Sequence, residues 1–433
     1  MTDPVELLRR LIRFDTTNPP GAERECIAFL EGLARDAGLD TRILALDDAR
    51  PNLVARLPGE GSAPPLLLQG HVDVVSTAGQ SWRHPPFEGV LEDGYVWGRG
   101  ALDMKGGVAM MTAAVLRAAA DGRRPAGDVV LTIVSDEEAG GDCGARFLVD
   151  RHGELFDGIA YGIGEFGGFT MDVAGRRFYP IQVLEKQMCW MQATVRGPGG
   201  HGSLPMRGGT MARLAKLLRD LDRNRLPVHV TDVPRRMISE IAASLPAPAR
   251  PPLRGLLNPR LTDTIIRVLG DAGSSFDPML HNTVNATILR SGDKVNVVPS
   301  EATVELDGRV LPGFGQEDMV REVRAVVGDD VEIEVGRFEP VSPQPDYALF
   351  DLLAGVLREK DPSGTPIPML LAGVTDGRIF AKLGIQTYGF LPMQLPKELG
   401  FTSLIHAADE RIPADALEFG TGAISAVLDR YGR

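Results

Sequence analysis

Three consecutive acids, Asp136, Glu137 and Glu138, close an apolar run in LTIVSDEEAGG. Crowded carboxylates repel one another and are costly to bury without a compensating cation. Adjacent residues at a strand end point in different directions, so Glu137 and Glu138 need not share one job. One can ligate a metal while its neighbour reaches a metal-bound water as a general base. A solvated acidic turn accounts for SDEE equally well when the segment is read alone. QGHVDVV sets His71 and Asp73 two apart, the spacing of one strand face, where a histidine can bind metal and a carboxylate can orient its ring. The plainer account is a strand end facing water. WGRGALDMKGG places Asp103 between glycines and a helix, where its two oxygens can bridge two cations or where it simply caps the helix. Glu165 ends the apolar run of YGIGEFGG, and His406 stands far along the chain in SLIHAADERI. Together these residues supply two histidines and several carboxylates, a mixed donor set that suits zinc or a similar divalent ion.

The elements that must position them alternate. Pro4 to Phe14 and Ala22 to Ala37 carry apolar residues at helical spacing, and TRILAL and NLVARL read as short strands. PLLLQGHVDVV, DVVLTIVS and GIAYGIGE read as buried strands, with a helix over Lys105 to Ala120 between the first two. Buried strands alternating with helices predict an α/β domain, whose ligands gather at strand carboxyl ends. The middle changes character. KQMCWMQATV, a helix from Thr210 to Leu221, NTVNATIL, ATVELDGRV, a helix from Glu317 to Val327 and VEIEVGRFE follow the β-α-β-β-α-β order of a ferredoxin-like α+β domain. A Pro-rich insertion over 225–281 interrupts it and is too long for a simple loop, with helices expected near Val233–Ala243 and Leu261–Leu269. IQTYGFLP and a helix from Ala414 to Tyr431 return to α/β. The expected organisation is a discontinuous domain, 1–185 with 339–433, and an inserted domain, 186–338.

Composition removes other classes. The chain has 433 residues and a formal net charge of −12, against the basic face that nucleic acid requires. Cys26, Cys143 and Cys189 are isolated and form no CxxC site, which fits a reduced compartment. The N-terminus lacks the layout of a signal peptide, and no window reaches the about 18 apolar residues of a membrane span. A cytoplasmic protein with neither nucleic-acid nor membrane partners is expected.

The blocks GHVDVV, PPFEGVLEDGYVWGRGALDMKGG, SDEEAGG, GEFGG, GPGGHGS, GDKVNVVP, GVTDGRIF and IHAADERI resemble, in order, those of the M20 family of metallo-aminohydrolases. That family includes aminoacylases, dipeptidases, carboxypeptidases and succinyl-diaminopimelate desuccinylases. The resemblance implies a zinc-peptidase-like catalytic domain, a mixed sheet flanked by helices, and an inserted ferredoxin-like lid domain. It implies two divalent ions per chain, zinc with cobalt or manganese as alternatives. His71 and Glu165 then serve one ion, Glu138 and His406 the other, and Asp103 bridges. Glu137 matches the general base and Asp73 the carboxylate behind His71. His201 of GPGGHGS matches an oxyanion-stabilising histidine that relatives often supply from the partner subunit, so a homodimer through the lid is implied. Arg378, Arg309 and Asn296 match positions linked to the substrate's carboxylate and carbonyl. The implied substrate is a small peptide or N-acyl amino acid, with a desuccinylase or carbamoyl-amino-acid hydrolase as the other reading; GVTDGR departs from the desuccinylase pattern. A metal-free binding relative is the other class.

Gly197 to Gly202 also satisfies GxGxxG, but SLPMRGG follows where a dinucleotide site needs a helix to open. His84, His152, His229 and His281 match no motif and are expected at the surface. Asp136 is expected behind the ligands or facing solvent.

Overall fold

The computed structural model describes residues 2–341 and 344–433. The chain forms two compact units: Met1–Val183 with Pro345–Met369 and Thr375–Arg433, and Leu184–Gln344 with Leu370–Val374.

The first unit is built on a mixed nine-stranded sheet. At its centre Val129–Val134, Leu66–His71, Tyr161–Gly164 and Gln386–Gly389 run parallel. Every residue of Leu66–His71 and Val129–Val134 is buried, which is why both read as unbroken apolar runs rather than alternating ones. The helix Lys105–Ala120 is buried along nearly its whole length. It packs against the helices Pro4–Ile12 and Ala414–Arg430. Its small residues permit that close approach. A separate three-stranded sheet, Val90–Glu92, Tyr95–Trp97 and Arg411–Pro413, pairs Arg411 with Trp97. It ties the last part of the chain to the segment before Asp103, and Arg411 lies 4.6 Å over the Trp97 ring.

The second unit carries a four-stranded antiparallel sheet in the order Thr283–Ser291, Glu301–Val310, Gln187–Arg196, Glu332–Glu339. Along Glu301–Val310 every second residue is buried, the period-two signature of a sheet with one covered face. Met191, Val195, Val304, Leu306 and the helices Thr210–Arg223 and Gln316–Val327 form the core on that face. The insertion is helical, with Asp232–Ser244, Arg250–Gly255 and Thr262–Leu269 as its longer pieces.

The unassigned histidines depart from expectation. His281 is 1% exposed and its Nδ1 lies 2.8 Å from Asp277. His229 is half-buried, with Nε2 2.7 Å from Glu322, and His84 is half-buried beside Glu92. Each is covered because a carboxylate partner lies within reach of a ring nitrogen. Among the described residues no helix is long and apolar enough to cross a membrane.

Candidate metal centre

The parallel strands deliver their carboxyl ends to one place. His71 is the last residue of its strand, Glu165 directly follows Tyr161–Gly164, and the acidic turn begins two residues after Val134. Open α/β sheets collect ligands at this edge. Two groups of donor atoms gather there, His71 with Glu137 and Glu165, and Asp103 with Glu138 and His406, each group lying within 4.8 Å. Asp103 joins them. Its Oδ1 lies 3.3 Å from His71 Nε2 and its Oδ2 3.2 Å from His406 Nε2. Glu165 Oε2 is 3.4 Å from His71 Nε2, and Glu138 Oε1 is 3.3 Å from His406 Nε2.

A tight turn carries the two glutamates. Residues Glu137–Ala139 form a single 3₁₀ turn entered through Asp136 at φ 71° and left through Gly140 at φ 111°. Gly141 follows at φ 79°, and a Cβ there would stand 3.0 Å from Asp376 Oδ1, so glycine is required twice over. Phe166 and His406 also hold left-handed φ, at 65° and 63°. Such conformations cost about 1–3 kcal/mol each and concentrate where geometry serves function.

Asp73 stands two residues past the strand end at His71, and the two side chains meet, as their spacing suggests. His71 Nδ1 lies 3.1 Å from the Asp73 carbonyl and 3.4 Å from its Oδ1. The same carboxylate accepts the backbone N–H groups of Glu137 and Glu138, both at 3.1 Å, and Asn18 Nδ2 at 2.8 Å. Together with His71, these donors hold its pKa below the usual carboxylate range despite full burial.

Asp136 is 5% exposed, which rules out the solvent-facing alternative. Its Oδ1 accepts Arg50 Nη1 at 2.7 Å and Asn18 Nδ2 at 3.2 Å, and its Oδ2 accepts the Cys143 N–H at 2.8 Å. Arg50 also forks onto Glu23, whose side chain is 0% exposed. The cation that makes this acid tolerable is therefore a guanidinium. Sequence reading missed Asn18, Glu23 and Arg50. They sit in the first fifty residues, where the only signal was a polar TTNPP between helices.

The donor set fits divalent cations. His71 Nε2 and Glu138 Oε1 are buried without a hydrogen-bond partner, a costly state unless a cation takes them. Asp103 and Glu138 push the His406 pKa up to about 10, and Asp103, Asp73 and Glu165 raise that of His71 against full burial. Burial and Glu165 raise the pKa of Glu137 well above the ordinary value.

Arg378, 6% exposed, donates to the Thr375 carbonyl at 2.5 Å and lies near Asp376. Both Asp376 oxygens are buried without a hydrogen-bond partner, and burial lifts its pKa to about 7. The remaining expected residues belong to the second unit. His201 is exposed, with Nδ1 2.7 Å from Ser203 Oγ, on a short strand paired with Val297–Val298. The Asn296 carbonyl accepts the Gly202 N–H at 2.8 Å, and Arg309 pairs with Asp307 at 2.9 Å. No helix opens at Gly202; the next one begins at Thr210.

Residues 67–430 match the model of peptidase family M20/M25/M40. The chain belongs to that family. M20 enzymes hydrolyse amide bonds, and this chain is one of these hydrolases. It is 28% identical over 372 residues to a probable carboxypeptidase S-like 2 of Dictyostelium discoideum, covering 81% of this chain and 68% of that one. It is 28% identical over 444 residues to a succinyl-diaminopimelate desuccinylase of Paracoccus denitrificans, covering 99% and 98%. An M20 family metallo-carboxypeptidase from Sulfolobus solfataricus shares the fold, with a TM-score of 0.73 at 16% identity over the whole of both chains. The M20 assignment confirms the α/β class expected from the strand pattern.

Proposed function

We propose that this chain is a cytoplasmic two-metal hydrolase of small peptides or N-acyl amino acids that carry a free carboxylate. The observation that carries this reading is Asp103, with one oxygen 3.3 Å from His71 and the other 3.2 Å from His406. One carboxylate thereby belongs to two donor sets. His71, Asp103 and Glu165 would hold one ion and Asp103, Glu138 and His406 the other, with zinc favoured by the mixed nitrogen and oxygen donors and cobalt or manganese as alternatives. Bound there, the ions would polarise the amide carbonyl and acidify the attacking water.

The protein's own groups do the rest. Glu137 takes the water's proton and returns it to the leaving amine. Asp73 fixes the His71 ring and, through two N–H groups, the turn that carries Glu137 and Glu138. Arg378 suits a substrate carboxylate, since a guanidinium binds it with two parallel bonds. Resemblance alone assigns His201 to the oxyanion, and Asn296 and Arg309 to the substrate.

The test is a panel of dipeptides, N-acyl amino acids and N-succinyl amines assayed with zinc, cobalt or manganese. The likeness to a desuccinylase over nearly the full length favours including the last class. Cleavage of a carboxylate-bearing amide is expected, with two ions bound per chain. No cleavage of any amide under any metal would sink the proposal.

A homodimer is part of the same reading. The strand Thr283–Ser291 is an edge of its sheet, with Ile288 and Leu289 each 49% exposed. An apolar unpaired edge is a template for pairing with another chain. Sedimentation at micromolar concentration should give twice the chain mass, and Ile288→Lys should halve it.

A further inference from the structure

Arg99 and Glu410 form an ion pair at 2.8 Å, with side chains 1% and 0% exposed. A pair so deeply buried adds little net stability, because desolvation offsets its attraction. What distinguishes it is where its remaining bonds go. Glu410 Oε1 accepts the N–H groups of Leu102 at 2.7 Å and Asp103 at 3.1 Å, and its Oε2 accepts Gly100 N–H at 3.1 Å. Arg99 Nη1 donates to the Ala407 carbonyl at 3.1 Å, and its Nη2 to the His406 carbonyl at 3.2 Å and Gln80 Oε1 at 2.8 Å. Gln80 Nε2 donates to the same His406 carbonyl at 2.8 Å. One charge pair therefore grips the backbone of Asp103 from one side and of His406 from the other.

His406 needs such a grip. Its side chain is 48% exposed, against 2% for His71, so surrounding packing does not fix its ring. Its backbone is left-handed, which an ordinary loop would relax. The pairing of Arg411 with Trp97 brings the two segments side by side, and the ion pair locks them.

We infer that Arg99 and Glu410, with Gln80, are positioning residues that hold Asp103 and His406 at the separation required by the ion they share with Glu138. They are not ligands, and the inference rests on the two-metal reading. Residues that orient metal ligands typically change metal affinity about 10- to 100-fold when replaced.

The experiment compares the full-length wild type with Arg99→Lys and Gln80→Ala. Lysine keeps the charge but cannot reach four acceptors at once. Zinc titration by calorimetry and the visible spectrum of the cobalt-loaded protein report the two sites. Metal-free melting and circular dichroism report the fold. In Arg99→Lys the ion that shares only Asp103 should weaken by the smaller factor, and the ion assigned to Glu138 and His406 should bind about 10- to 100-fold more weakly, with a changed cobalt spectrum. Gln80→Ala should move the same site by a smaller factor with unchanged metal-free melting, and it decides the matter if Arg99→Lys does not fold. Wild-type binding of both ions in Gln80→Ala and in any folded Arg99→Lys would overturn the inference. So would equal weakening of both sites together with a lowered metal-free melting point. A wild type that binds fewer than two ions would instead overturn the two-metal reading itself.

Discussion

Replacing Glu137 with glutamine should lower kcat by about 10²- to 10⁴-fold, the usual contribution of a positioned general base. Two ions per chain should remain bound. The two halves of this result test different things. Glu137 offers an oxygen within 4.8 Å of donor atoms of His71 and Glu165, so by proximity alone it could be counted as a ligand. Glu138, one residue on, is paired instead with His406 at 3.3 Å. The turn sends the neighbours to different donor groups, and the proposal gives Glu137 the proton and Glu138 the metal. Burial raises the proton affinity of Glu137, as a base working near neutral pH needs. Glutamine preserves shape and removes only the ability to accept a proton. A variant that lost metal in step with activity would make Glu137 a ligand and end its role as base. KM should change little, because the lost interaction serves the transition state.

The second large effect is on stability. Arg50→Met should destabilise the first unit by about 3–5 kcal/mol, the cost of leaving a buried charge partner uncompensated. Arg50 is 11% exposed and serves both Glu23, at 0%, and Asp136, at 6%. Burial already holds the Glu23 pKa above its ordinary value with Arg50 in place, and without the guanidinium it rises further. An acid with a raised folded pKa destabilises the native state above its unfolded pKa, increasingly until the pH reaches the folded value. The deficit should therefore be absent below the unfolded value of about 4.3 and grow as the pH rises above it. Urea unfolding of the metal-free protein at pH 7.5 and pH 4 measures both. An equal deficit at both values would show that Arg50 acts by packing. Asn18 links this network to Asp73, so activity should fall as well.

The residues proposed as ligands were more legible in the sequence than the groups that hold them. His71, Asp103, Glu138, Glu165 and His406 carry chemistry in their residue types, and His71, Glu138 and Glu165 follow apolar runs, where α/β sheets present ligands. The helix Lys105–Ala120 and the strand Val129–Val134 were legible because burial on all sides leaves unbroken apolar composition. Arg99 and Glu410 stood inside recognised blocks, but nothing local says that residues 311 apart form a pair. The same holds for Arg50 with Asp136. The three-stranded sheet escaped notice because strands of three residues are too short for a period.

The parallel pairing of Tyr161–Gly164 with Gln386–Gly389 has a consequence for synthesis. About 220 residues separate the two strands in sequence. At ordinary elongation rates the earlier strand waits roughly 10–40 s for its neighbour. During that interval the sheet is open beside it, and the intervening second unit is made first. The exposed edge is the point at which a holding chaperone has most to protect and at which early aggregation would begin.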